Sequence, residues 1–506
     1  MGCDRDSFYL PIYSTEKTDL HGLPGIFGDG GTVRKLIWII VTIAAWVIVI
    51  YETALLFISF FDYHHVTKVD IEYKNTVVFP AITVCNFNKY RESAFTQDDI
   101  VNVGYHLGIL DENRKLLSPG LYTDEFAAKV NAINWTTTVE DPNFNMTDFV
   151  KRTGHQKEDF IVKCLWREED CEEDDFMHVF THLGNCYTFN KFSADKDRKV
   201  SLNAGASNGL RLILNMEVEQ YTPTNDLGGD AMDVGVKIML HLPAEPPYLK
   251  ELGFVASVGQ HTYVAMRHSQ ITSLPLPYTE CQSEDTAGYY DSYSLQGCRI
   301  ECETKAVEKY CNCRLVEQPT GDGFPVCSPN QTHICAEDIL LQVTEGNLPD
   351  DVCECRSPCE VEDFPFSTTN AKLRTNFMSR IFNGTFNFTA DDIQNNVAVV
   401  SLFYEALNFE IVDQLPAITV VVLLANIGGN LGLFTGASVL TAVQVLEYCY
   451  DEGSFQYSRF NKNNNKVGNA DVSRLAGRSA QNSMRMGDVH SIMDYDIHNH
   501  HYNRHR

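Results

Sequence analysis

The sequence predicts a membrane protein in which two transmembrane helices enclose one large, disulfide-rich α+β ectodomain. Three observations predict it. Two long apolar segments, 36–61 and 414–446, stand toward opposite ends of a chain of 506 residues. Fourteen of the sixteen cysteines lie between them, from Cys85 to Cys359. All five Asn-x-Ser/Thr sequons, at Asn134, Asn145, Asn330, Asn383 and Asn387, lie there too and are candidate glycosylation sites. Disulfides persist and glycans are added outside the cytosol, so both counts assign the same side to the segment between the spans.

The elements follow in order. Residues 1–35 are polar and lack an apolar h-region, so no cleavable signal peptide is expected and the first span inserts itself. Residues 36–61, LIWIIVTIAAWVIVIYETALLFISFF, carry one charge, Glu52. As a helix they reach about 39 Å, enough to cross a bilayer with tilt and too long for an ordinary buried helix. Arg34 and Lys35 precede the span and Asp62 follows it, which assigns residues 1–35 to the cytosol. A second span, 414–450, then returns the tail 451–506 to the cytosol, and residues 62–413 become an extracellular loop. The second segment has no charged side chain through residue 446, and Gly428, Gly432 and Gly436 recur at intervals of four. Such a stripe by itself reads as close helix packing. The tail has little apolar periodicity and is expected to be disordered.

Within the loop, β-branched runs at 68–87 and 209–240 read as strands, and 397–410 as a strand entering the second span. Residues 92–130 and 157–180 read as more helical. Nine cysteines fall within 298–359, marking a stapled subdomain over 281–359 with a helix in CRIECETKAVEKYCNC. Spacing alone leaves their connectivity open. The chain has 40 Lys+Arg against 67 Asp+Glu, a formal net charge of −27, and nearly all of it falls in the loop. That balance excludes nucleic acid as a partner, because phosphate neutralisation needs basic residues, and it suits cations. No HExxH, GxSxG or P-loop pattern occurs, so no enzyme activity, cofactor or metal is expected.

Six motifs in order carry a resemblance over roughly residues 20–450: His21-Gly22 before the first span, YHHVTKVD (63–70), FPAITVCN (79–86), CRIECET with CNC (298–304 and 311–313), LNFE (407–410) and GLFTGAS (432–438). Together they resemble the acid-sensing ion channels of the degenerin/epithelial sodium channel superfamily. The resemblance implies a homotrimer or heterotrimer in the plasma membrane, a central β-sheet with peripheral helices, sodium conduction and block by amiloride-like compounds. It implies the pairs Cys85–Cys186, Cys164–Cys171, Cys281–Cys359, Cys298–Cys355, Cys302–Cys353, Cys311–Cys335 and Cys313–Cys327.

For the pore, the resemblance implies a selectivity filter at Gly436, Ala437 and Ser438, where small residues interrupt the helix. Freed carbonyls and a hydroxyl there replace part of a cation's hydration shell. Asn426, Gly428, Gly429, Gly432 and Glu447 are the expected pore-lining residues, and His21-Gly22 the gating motif beneath them. Family carboxylates are replaced by neutral residues at Thr419, Asn426 and Gln444, which implies weaker cation attraction.

For gating, His64 and His65 outside the first span and the carboxylates Asp70, Glu405 and Glu410 are candidate proton sensors, since histidine and crowded carboxylates titrate in the useful range. Asp230 and Glu337 match two positions of the family's upper acidic pocket. The rest of that pocket is depleted, with Gln220, Leu341 and Ser401 at acid positions, His182 at a usual Arg and Asn203 at a usual Lys. Tyr63 and Tyr278 match a coupling contact, and Leu407-Asn408 the strand linker that rearranges in desensitisation. The expected function is a sodium-selective channel opened by extracellular protons. A ligand-gated channel of the peptide or bile-acid type, or a constitutively open one, is the alternative, and a two-span adhesion receptor without a pore the remote one.

Overall fold

The structure is a computed structural model that describes residues 21–28, 30–191, 198–224, 233–282, 288–290, 292–320, 323–347, 354–382 and 388–438, and beyond these 440, 441, 443, 446, 447, 449, 450, 453, 454 and 457. It divides into two compact units. One gathers the described parts of Met1–Asp62 and Thr419–Arg506, and the other is Tyr63–Ile418.

In the first unit a 30-residue helix runs Thr32–Phe61, about 45 Å long. Its apolar side chains point outward: Ile37, Ile40, Ile43, Val47, Ile50 and Ile58 are exposed and Val49 is buried. An apolar helix with its side chains outside is suited to lipid. A second, 16-residue apolar helix, Val420–Thr435, packs against it. The start of the second span, placed at 414 from the sequence, is corrected here. The chain is still a strand at Pro416, helix begins only after Thr419, and it stops at Thr435. Thr419 caps the start, its Oγ1 accepting from Val422 N at 3.2 Å. Leu415 and Gln414 pair with Val66 and Thr67 instead of joining the helix. Apolar composition fits both states, and tertiary pairing decides.

The second unit is built on strands β1 (His65–Tyr73), β2 (Val77–Val78), β3 (Ala81–Asn86), β4 (Ile161–Trp166), β5 (Glu169–Asp170), β6 (Phe176–Thr181), β7 (Gly184–Phe189), β8 (Val200–Ser201), β9 (Leu210–Asn215), β10 (Gly235–His241), β11 (Phe254–Ser257), β12 (Gln260–Thr272), β13 (Glu360–Asp363), β14 (Phe366–Lys372) and β15 (Val397–Pro416). Among the described residues they form an eight-stranded sheet ordered β13-β12-β15-β9-β4-β5, with β1 added on β15 and β14 on β12. A five-stranded sheet, β11-β10-β3-β7-β6, and the β2–β8 pair complete it. The largest core lies between the two sheets. Leu210, Leu212, Val264, Met266, Val400 and Leu402 from the first meet Ile82, Val84, Phe189, Val236 and Ile238 from the second. A smaller core under the helices Gln97–Val103, Asp124–Asn131 and Met146–Thr153 is aromatic, with Phe95, Phe126 and Phe149 fully covered.

Residues 157–180 are mostly strand, not helix, which corrects the sequence reading. Only the turns Lys157–Phe160 and Glu173–Asp175 are helical. Arg167 and Glu168 both take positive φ, 55° and 67°, and so make the two-residue hairpin turn that joins β4 to β5. That turn normally announces itself by Asn-Gly, and charged residues at these positions hide it. Cys164–Cys171 staples the hairpin. Further disulfides join Cys85 to Cys186 across paired β3 and β7, Cys281 to Cys359, Cys298 to Cys355, Cys311 to Cys335 and Cys313 to Cys327. Cys302 is also disulfide-bonded, and its expected partner Cys353 lies outside the described residues. The helix inside the stapled region runs Leu295–Cys311.

Phe79 sits where the sheets meet, with no exposed surface, edge-on to Trp166, Phe189 and Tyr404 at 4.7, 6.3 and 5.9 Å between centroids. Phe79→Ala is expected to destabilise the ectodomain by about 3–5 kcal/mol, read as a lower melting midpoint of the purified protein and a loss of surface expression.

Candidate functional site

In the first unit the apolar helix ends at Gly436, whose φ of +67° is the left-handed conformation that glycine tolerates best. Gly436 N–H donates back to Gly432 O at 3.1 Å, and Ala437 N–H reaches Leu431 O at 3.3 Å. Ser438 N–H turns to Thr441 Oγ1 at 3.1 Å, while Thr441 N–H donates to Ser438 Oγ at 3.3 Å. This reciprocal pair caps the helical residues that resume at Leu440. The Leu433 and Phe434 carbonyls thereby lose the donors that a continuous helix would give them. The Thr435 carbonyl is taken by His21 N–H at 2.8 Å.

His21 and Gly22 therefore meet the helix break directly. A Cβ on Gly436 would overlap the His21 ring. Gly22, at φ +94°, precedes the short helix Leu23–Phe27, and a Cβ there would overlap Thr42 Oγ1. A Cβ on Gly25 would strike the Trp38 ring at 2.6 Å. The segment lies flat on the long helix because these glycines allow it. Gly428 and Gly429, by contrast, have nothing within 4 Å of where a Cβ would stand, and Asn426 is exposed. Packing within the chain does not account for them. Glu447 is exposed, and Gln444 is outside the described residues.

In the second unit Tyr63 and Tyr278 meet edge to face, 5.4 Å between centroids and 81° between planes. His64 O accepts from Ala417 N, and His65 opens β1 opposite Pro416. Asp70 pairs with Lys68 at 2.5 Å, both half-exposed. Glu405 holds Arg267 at 2.9 Å, also near the surface. Leu407 and Asn408 lie in a large irregularity of β15. Met266 of β12 stands opposite Tyr404 and His268 opposite Phe409, so Arg267 faces the four residues Glu405–Asn408. Glu410 follows, opposite Ile71 on one side and Ser269 on the other.

Glu337 begins the helix Glu337–Thr344, 3.1 Å from His333, and lines a cavity of about 760 Å³ with His182, Leu340, Leu341 and Tyr221. Asp230 lies outside the described residues. Ser401, standing at a usual acid position, is fully buried and meets His261 Nε2 at 2.9 Å and Arg211 Nε at 3.4 Å. Burial, and then Arg211, lower the His261 ring to about 4, so it is neutral in mildly acidic solution. Of the sequons, Asn134 and Asn330 are exposed. Asn145 caps the helix Met146–Thr153, its Oδ1 accepting from Asp148 N at 3.1 Å. Asn383 and Asn387 lie outside the described residues.

The sequence profile of the amiloride-sensitive sodium channel family matches residues 14–448. The chain belongs to the amiloride-sensitive sodium channel family. Acid-sensing ion channel 2 of Homo sapiens is 33% identical over 445 residues, covering 87% of this chain and 86% of its own. Acid-sensing ion channel 2 of Danio rerio is 35% identical over 418 residues, covering 82% and 77%. Acid-sensing ion channel 1 of Gallus gallus is 32% identical over 461 residues, covering 89% and 86%. This is an ion-channel family and not a family of enzymes, and it makes the chain a sodium channel of that kind with a disulfide-rich, β-rich ectodomain.

Within this channel, sequence reasoning missed several titratable groups because their partners are remote along the chain. His155, buried, bonds Glu217 at 2.7 Å across 62 positions; burial lowers its ring despite that carboxylate. His268 bonds Glu362 at 3.0 Å across 94 positions. Glu245, in the turn after β10, is pushed up to about 7, chiefly by burial and further by the nearby Glu362 and Asp363. A Glu-Pro-Pro in a turn gives no sign of this. Thr42, against which Gly22 rests, looks like any polar residue in an apolar helix.

Gly22→Ala combines a left-handed backbone with overlap on Thr42. It should cut macroscopic sodium current about tenfold at equal surface expression, in line with the cost of that conformation for a residue with Cβ. Glu245 supplies a pH prediction. Its folded-state value lies above the ordinary one, so the folded protein holds this proton more tightly than the unfolded chain. Stability therefore falls as pH rises from about 4.5 to about 7, by at most about 3 kcal/mol. Glu245→Gln should remove that decline, giving a flatter melting midpoint against pH and a more stable protein at pH 7.5.

Proposed function

We propose that the chain forms a trimeric, sodium-selective channel of the plasma membrane, opened by extracellular protons. Each subunit contributes two spans, with both termini in the cytosol, 62–413 outside and the second span within 414–450. Gly436, Ala437 and Ser438 form the narrowest part of the pore. Asn426, Gly428, Gly429 and Gly432 line it above, Glu447 stands at the inner end, and His21-Gly22 supports it. The observation that carries this reading is the helix break at Gly436–Ser438 with His21 bonded to Thr435. Backbone left without helical partners at membrane depth is tolerable where it lines water, and carbonyls with a Ser hydroxyl are suitable cation ligands. Three such breaks about an axis make a filter. Amiloride-like blockers bind this pore, weakly if the neutral residues at Thr419, Asn426 and Gln444 remove carboxylate rings.

Proton gating rests on His64, His65, Asp70, Glu405 and Glu410, which cluster on β1, β15 and the residues leading into β1. The Tyr63–Tyr278 contact couples the stapled subdomain to the start of β1, and Leu407-Asn408 rearrange in desensitisation. Glu337 contributes less, because its cavity holds Leu341 and His182 where the family's upper pocket has an acid and an arginine. That same cavity favours a second reading, a channel opened by an organic ligand such as a peptide.

The test is expression of the full chain in oocytes, stepping the bath from pH 7.5 to 5.0 with sodium, then potassium, outside. An acid-evoked current larger in sodium is expected. Surface expression without acid-evoked current would rule out proton gating, and a steady amiloride-blocked current would favour a constitutively open channel. Replacing His64 and His65 together by Ala should move half-activation to lower pH, and an unmoved curve removes them as sensors.

A further inference from the structure

The β15 irregularity is clamped at both ends. On the upper side Arg267 reaches Glu405 at 2.9 Å. On the lower side Phe409, the residue after Asn408, meets the His268 ring edge-on at 4.4 Å between centroids. The ring also stacks on Phe364 at 5.0 Å and 19°. Its Nε2 meets Glu362 Oε2 of β13 at 3.0 Å. Its Nδ1 is buried without a hydrogen-bond partner among the described residues. His268 is buried, and Glu362 half-buried.

We propose that His268 and Glu362 form a proton-operated latch on the Glu405–Asn408 segment, in which a proton taken at His268 Nδ1 turns the hydrogen bond into an ion pair and pins Phe409. The inference rests on the reading above that Leu407 and Asn408 are the residues that move. Neutral His268 donates from Nε2 and leaves Nδ1 a bare acceptor. With the second proton, an imidazolium stands between a carboxylate and the Phe364 and Phe409 rings, a charge-assisted bond with a cation–π contact added. The N–H left unpaired at Nδ1 is set against a charge-assisted bond to Glu362 in place of a neutral one.

The charged groups around the pair act in both directions, carboxylates favouring an imidazolium and cations opposing it. Asp363 and Glu245 add negative charge beside Glu362. Lys74, whose ammonium lies 3.8 Å over the Phe409 ring, and Arg198 act on Glu362 as well. Arg267 is neutralised by Glu405, and Glu410 stands opposite Ser269 next in β12. Glu362 itself is held below the ordinary carboxyl value, first by the His268 hydrogen bond. It is therefore the ionised partner of the pair. Glu245, pushed up to about 7, changes charge between pH 7.5 and 5.5, and the test is run with Glu245→Gln in every arm.

The experiment is a double-mutant cycle on the full chain in nanodiscs, with His268→Gln and Glu362→Gln alone and together, melted at pH 7.5 and 5.5. The coupling between the two is expected to grow on acidification by about 3 °C in melting midpoint. Equal coupling at the two pH values overturns the latch. Should His268→Gln fail to fold, Glu362→Gln carries the test in surface channels bearing Asn408→Cys. At pH 5.5 a charged, membrane-impermeant thiol reagent should modify that cysteine roughly fivefold faster when Glu362 is Gln, and an unchanged rate overturns the proposal. Neither readout needs a current. A wild-type chain without acid-evoked current would therefore sink proton gating while the latch is still decided by the cycle.

Discussion

Strand β15 is the constraint on which the ectodomain depends. It is 20 residues long and has a neighbour on both edges, but the neighbour on one edge changes part-way. Val397 to Leu402 pair with β9, and Asn408 to Pro416 pair with β1. On the other edge β12 runs parallel throughout. The handover falls at the segment where four residues of β15 stand opposite one of β12. Backbone groups there find substitutes, Gly205 N–H for Tyr404 O and Lys74 N–H for Leu407 O. A strand whose hydrogen bonds are satisfied by loops over five residues and by ladders elsewhere is rigid except in one place. That place contains Leu407, and Asn408 is the first residue of the ladder that follows it.

The same handover sorts the charged residues. Where β15 is buried between sheets its side chains are apolar, and the one polar group, Ser401, is held by His261 and Arg211. Below the handover β1 lies at an edge with most of its side chains exposed, and Lys68, Asp70, Arg267, Glu405 and Glu410 gather there. Exposed pairs of this kind contribute little to stability, so the sheet does not depend on them. The formal charge of −27 is thus divided by depth. Glu245 is raised by burial and Glu362 is lowered by its bond to His268, and the numerous exposed carboxylates attract cations.

Much of this was legible in the sequence, and the failures have physical causes. The long apolar helix could be read because 26 consecutive residues with one charge have few other uses. The cysteine order pointed to a stapled helix because Cys298 and Cys302 are one turn apart. The end of β15 was misread because Gln414-Leu415-Pro416 is apolar enough for a span, and only its pairing with β1 holds it extended. The β4–β5 hairpin was missed because Arg167 and Glu168 adopt positive φ without the usual turn residues. Glu245, and the partners His155–Glu217 and His268–Glu362, could not be found by spacing at all. Burial and contacts between distant residues create them.

Glycine spacing alone does not describe the second apolar helix. A stripe every fourth residue suggests a packing face, yet Gly428 and Gly429 face open space within the chain. Gly436 has two conditions to meet at once. It adopts the left-handed turn that ends the helix, and it leaves room for His21, which takes the Thr435 carbonyl. Any Cβ would violate both. A helix meant only to anchor a protein gains nothing from being broken at such a point, since each freed carbonyl is costly in hydrocarbon. A helix that must present carbonyls to a passing cation requires the break, and it requires a support that occupies one carbonyl while leaving the neighbours Leu433 and Phe434 available. The His21-Gly22 segment, bonded to Thr435 and packed on Gly436, has the geometry of such a support, and under the proposed function the motif before the first span and the motif in the second apolar helix act as one device.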